Sequence, residues 1–206
     1  MQQDPKVLTQ RTIAYYDASA ISFEEGTRTH DVSQNYEALL SAIETPEPHD
    51  ILDFGCGPGR DVAFFRNAGH RVKGLDGSIE FVNMAKAATG CEILHQNFLE
   101  LSLPASAFDG IFANASLFHV PSSELVRVLR ELYDALRPRG VLFCSNPRGL
   151  NREGTSGERY GAYYTFETWR ENVEQAGFEL VTHYYRPPGK PREEQPWLAT
   201  VWRRPR

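Results

Sequence analysis

The stretch "ILDFGCGPGRD", residues 51–61, constrains this chain more than any other. An apolar run leads into three alternating glycines, Gly55, Gly57 and Gly59, and then into a helix-like segment. Glycine permits positive φ and lets another group approach the backbone where a Cβ would otherwise stand. A strand that turns through such residues into a helix is the opening unit of an open α/β sheet. The ligand cleft of that architecture lies at the carboxyl ends of the strands.

The rest of the chain repeats the same alternation. "DILDFG" predicts a strand and "DVAFFRNAGH" a helix closed by Gly69. "RVKGLDG" predicts a second strand, followed by a helix capped by Ser78 and running to about Thr89. "CEILHQNF" and "FDGIFANASL" read as strands three and four. A long helix is expected over "SSELVRVLRELYDALRP", with Pro121 in its first turn and Pro138 just past its end. "GVLFCSNP" reads as strand five, "TFETWRENVEQAGF" as a helix, and the stretches near "FELVTHYYRP" and "WLATVWRR" as the last two strands. Such βα units imply a mostly parallel sheet with helices on both faces. Two further helices are expected ahead of the sheet, over about Pro5–Ser19 and His30–Ile43. "NPRGLNREGTSGERYGAYY" reads as a long irregular loop. The expected organisation is one domain over 1–206, with a helical lid over 1–48 and an α/β core over 49–206.

Composition narrows the partners. The chain has 206 residues, room for one well-packed domain. Its net charge is −5, and residues 1–50 carry nine acidic side chains (Asp4, Asp17, Glu24, Glu25, Asp31, Glu37, Glu44, Glu47, Asp50) against three basic ones (Lys6, Arg11, Arg28). That balance disfavours a surface built to neutralise phosphates, so no nucleic acid is expected as partner. No apolar run approaches a membrane span, and "MQQDPKVLTQ" lacks the pattern of a secretory signal. Cys56, Cys91 and Cys144 are odd in number and widely spaced, which argues for a reducing, cytoplasmic setting and against a zinc site. No metal is expected.

Two carboxylates sharpen the reading of the glycine turn. Asp53 lies inside it, giving D-x-G-x-G-x-G, and Asp76 ends strand two in "GLDGS". A carboxylate there can accept hydrogen bonds from both ribose hydroxyls of a nucleoside ligand. Dinucleotide-binding proteins share that acidic residue, but they space their glycines G-x-G-x-x-G with a small residue last. Arg60 stands in that place here.

Taken in order, "ILDFGCGPGRD", "GLDGS", "HQNFLEL", "FDGIFANASLFHV" and "ALRPRGVLFCSNP" resemble the successive motifs of class I S-adenosylmethionine-dependent methyltransferases. The resemblance spans roughly Asp50 to Trp202. It implies a Rossmann-like seven-stranded sheet with the last strand antiparallel. It also implies S-adenosylmethionine as cofactor, with Asp53, Gly55, Gly57, Gly59 and Arg60 at its amino-acid end. Asp76, Gly77 and Ser78 would hold the ribose, and Asn97 and Phe98 would flank the adenine. Asn97 stands where the family often has an acidic residue. Tyr15 and Asn114 complete the expected cofactor contacts, and Tyr16, Asn114 and His119 are the candidates beside the reacting groups.

The acceptor is read from the covering segments. "NASLFH" after strand four is not the Asn/Asp-Pro-Pro-aromatic signature of nucleobase amino-group methyltransferases, which points to a small molecule. Phe23, Arg28, His30, Gln34, Arg159, Tyr160, Tyr164 and Arg186, together with His119, are the candidate acceptor contacts. Arginines clamp carboxylates bidentately and aromatic rings pack apolar or cationic groups. The expected reaction is methylation of an amine or ring nitrogen of an amino-acid-like metabolite, including histidine- and thiohistidine-type acceptors. S- or O-methylation, tRNA-base methylation and a non-catalytic cofactor-binding scaffold are the alternatives. An NAD-dependent oxidoreductase is a distant one.

Overall fold

Side-chain alternation along the central strands builds an apolar layer on each face of one sheet. The computed structural model describes residues 4–206, so the first three residues of the expected domain, and of "MQQDPKVLTQ", lie outside it. In chain order the elements are α1 (Pro5–Thr27), α2 (Ser33–Leu40), β1 (Asp50–Phe54), α3 (Arg60–Asn67), β2 (Arg71–Asp76), α4 (Ile79–Thr89), β3 (Glu92–His95) and β4 (Phe108–Asn114). They continue with α5 (Ser122–Ala135), β5 (Leu136–Pro147), β6 (Arg152–Ser156), β7 (Arg159–Tyr163), α6 (Phe166–Gln175), β8 (Glu179–Arg186) and β9 (Trp197–Arg203). Seven strands form the sheet in the order β3-β2-β1-β4-β5-β9-β8. The strands from β3 to β5 pair in parallel, and β9 runs antiparallel between β5 and β8.

Leu52, Phe54, Ile111, Ala113, Leu142 and Cys144 pack on one face with Leu125, Leu129 and Leu132 of α5 and Trp169 and Val173 of α6. Their sequence neighbours Ile51, Phe112, Val141 and Phe143 pack on the other with Tyr36 and Leu39 of α2 and Phe65 of α3. Val62 of α3 meets Val82 and Ala85 of α4 in a third cluster. Helices therefore cover both faces, as the alternation requires.

Several boundaries differ from the sequence reading. Helix α1 does not stop at Ser19 but continues to Thr27. Nothing in "AISFEE" breaks a helix, and the extra turns bring Phe23 onto the same face as Tyr16, with ring centroids 5.4 Å apart. Helix α2 is shorter than His30–Ile43 at both ends, and α3 starts one residue early at Arg60 and ends at Asn67. Strand β3 ends at His95 and β4 at Asn114, with a 3-10 turn over Leu117–His119. Pro121 stands at the cap of α5 rather than within its first turn. Strand β5 starts at Leu136, since proline pushes its predecessor toward extended backbone and so puts Pro138 inside the strand.

The largest correction concerns the stretch read as an irregular loop, where β6 and β7 pair antiparallel as a hairpin. Ser156 pairs with Arg159 across a two-residue turn in which Gly157 has φ +60°. Glycine at the first central position of such a turn is a hairpin signal that was present in "SGER". The hairpin and α1 cover the carboxyl ends of the parallel strands. Tyr160 N–H donates to Thr12 Oγ1 of α1 at 2.9 Å, and Ser78 Oγ donates to Asp17 of α1 at 2.6 Å.

On the α6 face of the sheet, one hydroxyl holds that layer in place. The indole N–H groups of Trp169 and Trp202 both donate to Thr200 Oγ1, at 3.1 and 2.8 Å, and all three residues are fully buried. Thr200→Val keeps the shape but leaves both donors without an acceptor. Urea unfolding is expected to show a loss of about 2 to 4 kcal/mol. A loss well under 1 kcal/mol would contradict this assignment.

Candidate active site

The glycine turn is shaped by packing as well as by its ligand. Gly55 has φ +78°, and a Cβ there would lie 2.4 Å from Cβ of Ser116. At Gly59, φ +96°, a Cβ would lie 2.9 Å from the backbone of Ala85 in α4. Gly57 differs, because a Cβ would meet only Phe23 of α1, at 3.8 Å. The open space over this turn is the floor of a cavity of about 850 Å³ roofed by α1.

Backbone donors in the turn are all engaged. Gly55 N–H and Cys56 N–H donate to the Leu75 carbonyl, at 2.8 and 3.0 Å, and Gly59 N–H donates to that of Cys56 at 3.1 Å. Gly57 N–H donates to Asp76 Oδ2 at 2.9 Å, Ser78 N–H donates to Asp76 Oδ1 at 2.9 Å, and Pro58 has no N–H. A dinucleotide's pyrophosphate is normally received by free N–H groups at such a turn. Between Gly55 and Gly59 none is offered. Burial pushes Asp76 up to about 6, against the pull of the Ser78, Gly57 and Gly77 N–H groups. Asp53 lies under the turn rather than on the wall, fully buried, with Oδ2 lacking any partner. Burial first, and then the neighbouring Asp61, raise its carboxyl well above the usual range.

Beyond β4 the 3-10 turn carries His119 into the cavity wall. Its Nδ1 lies 2.6 Å from the Tyr160 carbonyl oxygen, which can only accept, so Nδ1 carries the proton. Nε2 of the neutral ring then accepts from the Tyr16 hydroxyl at 2.8 Å. Burial pushes His119 down to about 4, with the Tyr160 carbonyl pulling the other way. Burial also raises Tyr16, and the nearby Arg159 guanidinium opposes that rise. Arg159 lies over the Tyr15 ring at 5.0 Å. Arg186 donates to the Asp31 carbonyl, and its Nε is buried without a partner. Neither arginine forms a salt bridge among the described residues.

Most expected site residues converge on this cavity. Gly55, Gly57, Gly59, Arg60, Asp76, Gly77, Ser78 and Phe98 line one end. Tyr16, Phe23, Arg28, His30, Asn114, His119, Arg159 and Arg186 line the remainder. The others lie behind the wall. Asn97 uses its side-chain oxygen to accept the Leu99 N–H at 2.9 Å. Gln34 gives its carbonyl to Tyr184, Tyr160 supports His119 from behind, and Tyr164 packs beside Trp169. Tyr15 is partly exposed beneath Arg159.

Ile13, Phe81 and Ser145 line the cavity and were not singled out from the sequence. Ile13 had a readable signal, since Ile13, Tyr16 and Phe23 form one helical stripe at spacings of three and seven. Among the described residues no group of three or more His, Cys, Asp or Glu could hold a metal ion, and no helix is long and apolar enough to cross a membrane.

A sequence-family model described as "Methyltransferase domain" matches residues 51–140. The chain is 36% identical over 115 residues to a trans-aconitate 2-methyltransferase of Azoarcus, covering 55% of this chain and 45% of that protein. It is 33% identical over 148 residues to one of Variovorax paradoxus, covering 68% and 54%. The chain thus spans about half the length of these relatives. A Burkholderia thailandensis 1,6-didemethyltoxoflavin-N1-methyltransferase, solved with 1,6-didemethyltoxoflavin and S-adenosylhomocysteine, superposes with a TM-score of 0.80 at 21% identity, covering 100% of this chain and 92% of that one.

Neutral, buried His119 makes stability depend on pH. Its folded pKa of about 4 lies below the ordinary value of 6.5, so between these values the unfolded chain binds a proton that the folded one does not. Its contribution is complete above about pH 6.5 and falls as pH drops toward 4, by about 3 kcal/mol. Denaturant unfolding of wild type and His119→Gln across this range is expected to show a flatter pH profile for the variant. Parallel profiles would contradict the buried neutral state.

Proposed function

We propose that the chain is a class I S-adenosylmethionine-dependent methyltransferase, a reading supported by the methyltransferase-domain match over residues 51–140 and by the fold, and that it methylates a small metabolite bearing a carboxylate. The observation that carries this reading is the asymmetry of the cavity. One end offers Asp76 and the open floor at Gly57, while the other offers Arg159 and Arg186, which have no carboxylate of their own. A guanidinium in a cavity wall is costly without an anion, so this end suits an anionic group of the acceptor.

The residues present fit the cofactor. Asp76 would accept the ribose hydroxyls, and Phe98 would pack against the base. The buried, unpartnered Asp53 oxygen beneath the turn suits the amino-acid end. When bound, S-adenosylmethionine supplies a methyl group already activated on a sulfonium, so the protein need only align the acceptor and exclude water. The α1 roof, through Ile13, Tyr16 and Phe23, excludes the water.

The same site offers no strong base. His119 has a low proton affinity, and its Nε2 lone pair is already taken up in accepting from the Tyr16 hydroxyl. In this reading His119 is a positioning residue for Tyr16, and the acceptor must be nucleophilic as it arrives. A neutral amine or ring nitrogen meets that requirement, and an amino-acid-like metabolite, including a histidine- or thiohistidine-type one, supplies the carboxylate as well. A carboxylate oxygen meets it too. O-methylation is the second reading, favoured by relatives named as trans-aconitate 2-methyltransferases. Incubation with methyl-labelled S-adenosylmethionine and panels of amino acids and polycarboxylates separates the two, because methyl esters are base-labile and N-methyl groups are not. Transfer to neither panel would contradict the proposal.

Asp76 gives a direct check on the cofactor end. Asp76→Asn is expected to weaken S-adenosylmethionine binding by about 1.5 to 3 kcal/mol in calorimetric titration. With wild type, affinity should be full above about pH 6 and fall below it as the carboxylate is protonated. The variant should lack that fall. A pH-independent wild-type affinity would remove Asp76 from the ribose.

A further inference from the structure

A file of buried and half-buried polar side chains runs from the sheet edge to the cavity through the α2 layer. The Tyr184 hydroxyl on β8 shares its one proton between Asn35 Oδ1 at 2.9 Å and the Gln34 carbonyl at 3.2 Å, the shorter contact being to Asn35, and Asn35 Nδ2 donates to Asn114 Oδ1 at 3.0 Å. Asn114 Nδ2 in turn donates to Asp61 Oδ2 at 3.3 Å. Asn35 is fully buried and Asp61 nearly so, among Val32, Tyr36, Leu39 and Phe112. Polar groups in such a layer cost stability unless every member is satisfied, so a directed chain of them is a feature that needs a reason.

Asp61 fixes the direction. Its Oδ1 accepts from the Tyr36 hydroxyl at 2.5 Å and from Arg60 Nε at 2.7 Å, and its Oδ2 accepts from Arg60 Nη2 at 3.0 Å as well as from Asn114. Burial and the neighbouring Asp61 push Tyr36 far above the usual phenol range, so it remains a donor. A carboxylate surrounded by donors can take only the nitrogen of Asn114, never its oxygen. Asn35 secures the same choice from the other side by donating to Asn114 Oδ1.

We infer that Asn35 and Tyr184 are positioning residues that, with Asp61, lock the Asn114 amide so that its second N–H is the group it offers to the cavity. Asn114 lines that cavity, and no protein acceptor takes this second N–H among the described residues. The group it meets must carry a lone pair, such as a carboxylate or carbonyl oxygen, and an ammonium is rejected there. This assigns Asn114 to the acceptor's oxygen and makes it a selectivity element beside Arg159. The choice of ligand class rests on the methyl-acceptor reading above, whereas the locked amide does not.

Side-chain amide NMR on asparagine-¹⁵N-labelled protein tests both parts. The Asn114 signal is assigned by its loss in Asn114→Ser. In the ligand-free wild type its two protons should exchange with water at clearly different rates, one being held by Asp61. Asn35→Ala, which frees the Asn114 oxygen but leaves Asp61 in place, should reduce that difference, and Tyr184→Phe should reduce it less. Equal rates in wild type, or rates unchanged in both variants, would overturn the locked amide.

With the protein saturated in S-adenosylhomocysteine, malonate should shift the Asn114 pair and methylammonium should not. Malonate affinity should fall at least fivefold in Asn35→Ala and about threefold in Tyr184→Phe, with S-adenosylhomocysteine affinity changed less than twofold. A malonate-insensitive Asn114, or unchanged malonate affinity in both variants, would overturn the ligand assignment. Should Asn35→Ala not fold, Tyr184→Phe alone decides. Failure of wild type to bind S-adenosylhomocysteine would contradict the methyltransferase reading and leave the free-protein exchange result to judge the amide.

Discussion

The site depends on one half-buried carboxylate that ties two loops together. Asp76 receives the Gly57 N–H from the turn after β1 and the Ser78 N–H from the turn into α4, each at 2.9 Å. Two strand ends that only run side by side are thereby joined where the ligand must sit. The bonds also orient the carboxylate before anything binds, so little rearrangement is required of it. Ser78 extends the tie to the roof by donating to Asp17 of α1.

Around this tie the protein satisfies most of its own polar groups, and the exceptions describe the ligand. The glycine turn keeps no free N–H for a phosphate, which separates this cavity from a dinucleotide site of similar topology. His119 and Tyr16 satisfy one another. Among the described residues, the buried atoms without a partner around the cavity include one oxygen of Asp53, the hydroxyls of Ser116 and Ser145 and the Nε of Arg186, and Arg159 lacks a carboxylate. A cavity that supplies charge complementarity at both ends and no proton acceptor between them works by alignment and exclusion of water. That division suits a reaction whose driving chemistry is carried by the cofactor.

Much of this was legible in the sequence because its signals are local. The glycine turn, Asp76 and the alternation of strands and helices each arise from neighbouring residues, and they located the sheet and one end of the cavity. The two-residue turn at Gly157 is equally local, but it lies in a polar stretch whose composition reads as loop. Other features were not legible, since they depend on residues far apart in the chain. That Asn97 would turn its oxygen to Leu99, or that Tyr160 would support His119 through its backbone, follows only from the folded arrangement. The file from Tyr184 to Asp61 joins four elements, and no spacing in the sequence announces it.

Calorimetric titration of the wild-type protein with S-adenosylmethionine, and separately with NAD and NADP, tests the central claim most directly. Micromolar binding of S-adenosylmethionine at one site, with no heat from either dinucleotide, is the predicted result. Binding of a nicotinamide cofactor without S-adenosylmethionine would contradict the account, because the engaged glycine turn would then have to release N–H groups that it holds.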